Sequence, residues 1–288
     1  EDRASISHRL GENAYLPAPC RSTARRMPAV TTQWTLIRPR TPSPGKAMSR
    51  INAAPPVAIR VRPPYHSPMD FSHVTTWIFD LDNTLYPPEA ALFDQIEARM
   101  VAHVQNLLGV DAAEADRLRA HYWRQYGTTL AGLMAEHQID PDAYLYDVHD
   151  IDMSVLTPDP DLAAAIAALP GRKIVHTNAD ALYATRVLGH RNLPVFEAIY
   201  GIQEVDYHPK PDARAYAAVI GAHGFDPTTA AMFEDDPRNL EVPANLGMRT
   251  VLVGQGRHGP DELAADFTLG PHVQHRTDDL TGFLRSLV

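Results

Sequence analysis

Residues 77–85 read Trp-Ile-Phe-Asp-Leu-Asp-Asn-Thr-Leu. The apolar start is typical of a short buried strand, and the strand ends in two carboxylates, Asp80 and Asp82, separated by one residue. Because successive side chains of a strand point to opposite faces, these two point to the same side. Two like charges this close repel each other unless a cation neutralises one or a proton occupies one. The stretch therefore indicates a metal-assisted nucleophile with an acid/base partner, with an ordinary Asx turn as the alternative.

Strand and helix patterns alternate along most of the remaining chain. Strands are predicted at residues 75–79, 173–177, 198–200, 230–233 and 250–253, and another near Phe267. Helices are predicted near residues 161–169 and 180–188, after Pro211, and at 237–246. This alternation predicts an α/β fold with a doubly wound, parallel, Rossmann-like sheet.

Residues 87–154 interrupt the alternation with a helical pattern. Amphipathic helices are predicted from a start at 87–89 until Gly109, at 111–126 and at 128–137, the third beginning at Thr128 or Thr129. Since this stretch follows the first strand, we expect it to be inserted at the carboxyl edge of the sheet. The predicted organisation is a leader (1–68), a core domain (69–86 and 155–288) and an inserted helical cap domain (87–154).

The leader differs in composition from the rest of the 288-residue chain. It holds eleven Lys and Arg residues and three acidic residues. Residues 69–288 hold fifteen Lys and Arg residues and thirty-two acidic residues. The leader also contains eleven of the 25 prolines, and we expect it to be disordered because it cannot bury enough apolar surface. It has three interpretations: a nucleic-acid tether, an organelle transit peptide, or upstream sequence outside the working protein. We favour the last, because the first residue is not Met and Met69 stands shortly before the first strand.

Cysteine content and hydropathy favour a cytoplasmic protein. Cys20 is the only cysteine, so no intrachain disulfide is predicted. We find no signal-peptide pattern and no apolar run near the ~20 residues of a membrane-spanning helix. The acidic body argues against a nucleic-acid partner there.

Three further predicted strands are followed by polar residues. Thr177 and Asn178 come after the second strand and suit an anionic oxygen, although Thr-Asn-x-Asp is also an ordinary helix cap. Lys210 lies between two prolines, where a fixed ammonium can neutralise phosphate charge; a solvated surface lysine is the alternative. Residues 234–236 read Glu-Asp-Asp, and such hard oxygen ligands suit Mg²⁺, with a solvated acidic turn as the alternative.

Taken in order, these four segments resemble the four motifs of the haloacid dehalogenase-like hydrolase superfamily, over about residues 74–288. The resemblance implies that Asp80 is the phosphoryl-accepting nucleophile and Asp82 the general acid/base. It implies that Thr177 and Lys210 hold the phosphoryl oxygens, with Asn178 beside them in the substrate site. The dehalogenases of this superfamily lack a carboxylate two residues after the nucleophile, so the presence of Asp82 favours a phosphatase.

The resemblance also implies a magnesium site. Its ligands would be Asp80, Asp235 and the backbone carbonyl of Asp82. Glu234 or Asp236 would reach the metal directly or through water, and the sequence does not decide between them. The helical insertion matches the mobile cap of the superfamily.

Residues 79–87, 126–133, 148–150 and 233–239 resemble the pyrimidine 5′-nucleotidase branch. This likeness implies a small-molecule substrate, a nucleoside monophosphate such as UMP or CMP. Candidate cap contacts to its sugar or base are Arg124, Tyr126, Thr128 and His149. For each of them the alternative is a structural position, either packed in the helical core or exposed to solvent. Two other functions stay open: a sugar-phosphate phosphatase or phosphoglucomutase-like transferase, and a non-enzymatic scaffold whose leader binds nucleic acid.

Overall fold

The computed structural model describes residues 70–256 and 269–288. The expected disorder of the leader and the strand predicted near Phe267 both fall outside these residues. No helix within the described ranges combines the length and the apolar character needed to cross a bilayer.

A six-stranded parallel sheet forms the centre of the described structure. Its strands are β1 (Thr76–Phe79), β2 (Arg172–His176), β3 (Ala198–Tyr200), β4 (Ala230–Glu234), β5 (Arg249–Val253) and β6 (His275–Thr277). Their order is β3-β2-β1-β4-β5-β6, and each neighbouring pair is parallel. The chain thus builds outward from β1 first on one side and then on the other, which confirms the predicted doubly wound, Rossmann-like class.

Both faces of the central strands are covered by apolar side chains, as a parallel sheet requires. On one face the rings of Phe79 and Phe233 stack with their centroids 4.7 Å apart, and Trp77 packs beside them. On the other face Ile78 and Met232 belong to a second buried cluster. This packing fixes the ends of β1 and β4, from which the acidic residues project.

The register of the strands decides which polar residues become neighbours. Phe79 pairs with Val175 of β2 and with Phe233 of β4. The backbone N–H of the next residue, Asp80, donates to the Phe233 carbonyl at 2.9 Å. Asp80 therefore leaves the sheet at the same level as Glu234, at the carboxyl edge where the strand order reverses.

The insertion after β1 is helical, as predicted. It contains α1 (Leu92–Leu108), α2 (Ala112–Tyr126), α3 (Thr129–His137) and α4 (Pro141–Val148), preceded by a short 3₁₀ helix at Pro88–Ala90. The side chains of Asp111 and Thr128 cap α2 and α3 by accepting from backbone N–H groups. The fourth helix, capped by Asp140, was not distinguished in the sequence.

The inserted helices pack on the rest of the chain through a shared apolar cluster. This cluster joins Tyr122 and Leu133 of the insertion to Ile202 and Val205, which follow β3. We propose that residues 87–154 act as a cap over the carboxyl edge, with residues 69–86 and 155–288 as the core.

The remaining helices lie between or after the strands: α5 (Pro160–Ala168), α6 (Ala181–Arg191), α7 (Ala213–His223), α8 (Glu241–Asn245) and α9 (Leu280–Arg285). The helix predicted at 237–246 is instead a 3₁₀ helix, Pro237–Leu240, followed by the short α8. Pro237 and Pro243 lack backbone N–H donors, which limits regular α-helical hydrogen bonding in this stretch. The strand β6 was not predicted.

Candidate active site

The four polar segments predicted at strand ends meet around one cavity of about 370 Å³. Side chains that follow different strands line it: Asp80, Asp82, Thr177, Asn178, Lys210, Glu234, Asp235 and Asp236. The carboxyl ends of β1, β2 and β4 contribute directly, and Lys210 comes from the loop between β3 and α7. The predicted convergence of these residues is therefore present in the fold.

Lys210 is the central cation of this site. Its Nζ atom donates to Asp80 Oδ1 at 2.7 Å, to Glu234 Oε1 at 2.6 Å and to the His176 carbonyl at 2.8 Å. Burial alone would lower the pKa of Lys210, but the carboxylates of Asp80 and Glu234 outweigh it and raise that pKa above its usual range. With 1 % of its surface exposed, Lys210 is a buried charge rather than a solvated lysine.

The backbone of Lys210 is held as firmly as its side chain. Asn178 Oδ1 accepts from the Lys210 N–H at 2.8 Å, and Asn178 Nδ2 donates to the Lys210 carbonyl at 3.2 Å. Asn178 therefore positions the lysine, and because Asn178 also lines the cavity, its role in the substrate site stays a prediction. Thr177 is buried, and its Oγ1 accepts from the Ala179 N–H at 3.1 Å.

Three carboxylates are close enough to bind one metal ion. Ligand oxygens of Asp80, Glu234 and Asp235 lie within 4.8 Å of one another. Burial raises the pKa of Asp80 to about 8, the cation of Lys210 opposes the shift, and the neighbouring carboxylate of Glu234 adds to it. Burial likewise raises the pKa of Asp235. A bound divalent cation would stabilise the ionised carboxylates, so this donor set fits a hard metal ion.

Glu234 and Asp236, which the sequence could not rank as metal ligands, have different surroundings. Glu234 belongs to the acidic trio, but its oxygens also accept from Lys210, from Asn239 Nδ2 at 2.8 Å and from the Asp236 N–H at 2.8 Å. Asp236 instead forms an ion pair with Arg238, whose Nη2 lies 2.6 Å from Asp236 Oδ2. The geometry favours Glu234 for a position near the metal and assigns Asp236 to Arg238.

Asp82 is oriented by two tyrosines. Its Oδ1 accepts from the hydroxyl groups of Tyr86 and Tyr183, each at 2.7 Å. Burial raises the pKa of Asp82, whereas these two hydrogen bonds oppose the shift. The carboxyl is thus held in one orientation and can carry a proton, as a general acid/base requires. The sequence did not predict either tyrosine as a hydrogen-bond partner of Asp82. Tyr183 lies 101 residues from Asp82, and no sequence pattern links the two residues.

The four predicted cap contacts are not all at the cavity. Arg124, Thr128 and His149 line it. Tyr126 is not among the described lining residues, and its hydroxyl donates to Glu136 Oε1 at 2.9 Å. His149 is tied to the core, because its Nδ1 lies 2.6 Å from Asp180 Oδ2. Three of the four candidates thus line the cavity, and their contact with a substrate stays a prediction.

A stacked pair that the sequence did not suggest also lines the cavity. The guanidinium carbon of Arg238 lies 3.6 Å from the ring centroid of Trp123 on α2. Trp123 belongs to no motif that was considered in the sequence, and Arg238 lies within the stretch 233–239 but had no role predicted for it.

Residues 74–247 match the model of the haloacid dehalogenase-like hydrolases. Phosphate metabolism protein 8 of Saccharomyces cerevisiae is 27% identical over 197 residues, which cover 61% of this chain and 60% of the yeast protein. The match thus spans less than two thirds of that relative.

Two solved structures also match parts of the chain. An L-2-haloacid dehalogenase is 17% identical, with a TM-score of 0.49, over 75% of this chain and 100% of its own. The magnesium-bound protein YfnB of Bacillus subtilis is 14% identical, with a TM-score of 0.47, over 74% of this chain and 98% of its own. On the family match over residues 74–247, the chain belongs to the haloacid dehalogenase-like hydrolase family.

Proposed function

We propose that this chain is a Mg²⁺-dependent phosphomonoesterase that hydrolyses nucleoside 5′-monophosphates, with UMP and CMP preferred, through an aspartyl-phosphate on Asp80. The observation that carries the proposal is Asp82, which lies in the same cavity and is oriented by two tyrosine hydroxyls. A leaving alcohol needs a proton, and a leaving halide does not. A second protonatable carboxylate beside the nucleophile therefore supports phosphate-ester chemistry over dehalogenation.

The reaction would proceed in two displacements. Asp80 attacks phosphorus and the bond to the leaving oxygen breaks, while Asp82 gives its proton to that oxygen. Asp82 then takes a proton from water, the water oxygen attacks phosphorus, and the bond to Asp80 breaks to release phosphate. Lys210 and Thr177 would hold the phosphoryl oxygens during both steps.

A divalent ion fits this scheme. Asp80, Asp235 and Glu234 would supply the carboxylate oxygens, and the backbone carbonyl of Asp82 stays a predicted fourth ligand. Mg²⁺ at this position would neutralise charge on the phosphoryl oxygens and on the acidic cluster.

The nucleotide assignment is supported by the resemblance to the pyrimidine 5′-nucleotidase branch and by the cap side chains at the cavity. The name of the yeast relative, Phosphate metabolism protein 8, agrees with a substrate that contains phosphate.

A phosphate-release panel tests this function. The full chain would be incubated with UMP, CMP, AMP, ribose 5-phosphate and β-glucose 1-phosphate, with Mg²⁺ or with EDTA. We expect the highest kcat/KM for UMP and CMP, and loss of release in EDTA. Faster hydrolysis of sugar phosphates would overturn the nucleotide assignment, and no release from any ester would overturn the phosphatase assignment.

The stabilising effect of Mg²⁺ should grow with pH. Burial raises the pKa of Asp80 from its ordinary value of 3.8 to about 8. A raised carboxyl pKa adds stability that is fully present below about pH 4 and is lost as the pH rises through about 8. Since Mg²⁺ stabilises the ionised form, we expect it to raise Tm at pH 8 by at least about 3 °C more than at pH 5.

Thermal unfolding with and without Mg²⁺ at the two pH values measures this effect. Asp235→Asn, which removes one proposed ligand, should reduce the gain at pH 8. Equal gains at both pH values in the unsubstituted chain would count against metal binding by these buried acids.

A further inference from the structure

The stacked pair of Trp123 and Arg238 lines the cavity. Trp123 belongs to the inserted helix α2, whereas Arg238 belongs to the 3₁₀ helix that follows the acidic end of β4. The two groups are 3.6 Å apart, measured from the guanidinium carbon to the ring centroid. They join the insertion to the core directly beside the acidic cluster.

Arg238 is fixed on its core side. Its Nη2 and Nε atoms donate to Asp236 at 2.6 Å and 3.1 Å, and its backbone N–H donates to Asp236 Oδ1 at 2.9 Å. A guanidinium held in this way stacks one planar face on the indole ring of Trp123, and an indole ring is the aromatic surface that binds cations best. The pair is therefore a preorganised flat surface.

The last turn of α2 lies against the lysine loop. At Gly127, the residue after α2, an added Cβ would lie 3.6 Å from the Lys210 carbonyl oxygen and 3.6 Å from Pro209 Cγ. Trp123 precedes Gly127 by about one helical turn, so it lies close to the site that would hold the phosphoryl group. The rest of a bound phosphate ester would meet this turn.

A buried tyrosine hydroxyl belongs to another residue of the cavity lining. Tyr144 lines the cavity with 1 % of its surface exposed. Its hydroxyl interacts with Thr129 but makes no hydrogen bond of ordinary geometry with any described group. A phenolic O–H can both donate and accept, and leaving it unpaired is unfavourable, so a ligand oxygen or nitrogen would be stabilised there.

We infer that the Trp123–Arg238 pair is the base-binding wall of this site, against which the planar heterocycle of a nucleotide lies, with the Tyr144 hydroxyl as a polar contact. This inference rests on the proposed function and specifies its substrate class. It replaces Tyr126 with Trp123 as the aromatic contact to the base. A flat, partly cationic surface selects an aromatic heterocycle over a bare sugar phosphate.

Steady-state kinetics of Trp123→Leu and Trp123→Phe, with UMP and ribose 5-phosphate as probes, test the inference. Trp123→Leu should raise KM for UMP by about 5- to 150-fold, the factor that corresponds to loss of one base–aromatic stack. Its kinetics with ribose 5-phosphate should change less than about threefold, and Trp123→Phe should retain part of the preference for UMP. Tyr146→Leu is the matched control, because Tyr146 is a cap aromatic that is 80% exposed and outside the described cavity lining.

Tryptophan fluorescence gives a readout that does not need turnover. In an Asp80→Asn background with Mg²⁺, UMP should quench emission, and the quench should disappear in Trp123→Phe, which retains Trp34 and Trp77. Ribose 5-phosphate should cause no such quench.

The outcomes separate the two proposals. Equal losses with UMP and ribose 5-phosphate, or a UMP quench that survives Trp123→Phe, would overturn the base-binding wall even if phosphatase activity is present. If no ester is hydrolysed, the proposed function fails, and the quench alone then decides whether a heterocycle binds at Trp123.

Discussion

Replacing Asp80 with Asn is expected to lower phosphate release by at least about 10⁴-fold, because an amide cannot form the acyl phosphate on which both displacements depend. The fold should survive. Asp80 pairs with the buried Lys210, and an asparagine of nearly the same shape can still accept from Lys210 Nζ through its amide oxygen, while Glu234 remains the ionic partner of that lysine. We therefore expect a Tm within a few degrees of the unsubstituted chain.

The matched control is Asp161→Asn. Asp161 is an exposed carboxylate whose only described ion pair is with Arg285 at the surface. The Asp161→Asn variant should release phosphate at the rate of the unsubstituted chain. Phosphate release from Asp80→Asn at a rate near that of the control would show that another group is the nucleophile.

Replacing Lys210 with Met should reduce both activity and stability. The ammonium bridges Asp80 and Glu234 while being 1 % exposed, so its loss leaves two buried carboxylates without their cation. Removing one partner of a buried ion pair typically costs about 3–5 kcal/mol. Loss of one preorganised group that stabilises developing charge lowers kcat by about 10²–10³-fold.

The stability loss in Lys210→Met should depend on pH. Without the ammonium, the pKa of Asp80, which burial already raises to about 8, rises further, and the protonated form of Asp80 is the stable one in the fold. The destabilisation should therefore be smaller at pH 5, where protons replace the lysine charge, and larger at pH 8. Denaturant unfolding at both pH values measures it.

Lys173→Met provides the comparison, because Lys173 is the other described lysine and lies near the amino end of β2, away from the carboxyl edge. The Lys173→Met variant should keep its phosphate-release activity. A Lys210→Met variant as stable and as active as Lys173→Met would contradict the role given to Lys210.

Patterns within single segments predicted much of the core of the site. Asp80 and Asp82 follow one apolar strand, and Asp235 follows another. Because sites gather at the carboxyl ends of parallel strands, the sequence predicted that these three residues lie close together. Lys210 was recognised by its two neighbouring prolines. The sequence did not reveal that Asn178 holds the Lys210 backbone through two hydrogen bonds.

The contacts that the sequence did not predict join distant segments. Tyr183 reaches Asp82 from α6, and Arg238 reaches Trp123 across the cavity. Such pairs depend on how the inserted helices pack on the sheet, and no local period encodes that packing. For the same reason Tyr126 rather than Trp123 was predicted as the aromatic contact to the base. Both residues lie on α2, and they differ in the direction in which their side chains leave the helix.

Chemical trapping on Asp80 tests the central claim most directly. In Asp82→Asn, p-nitrophenyl phosphate should still phosphorylate Asp80, because its leaving group needs no proton, while hydrolysis slows because the base for water is absent. Borohydride would reduce the accumulated acyl phosphate, and peptide mass spectrometry would locate the product. We predict homoserine at position 80, formed only when substrate is present. No reduction at position 80, or a trapped phosphoryl group on another residue, would contradict the account.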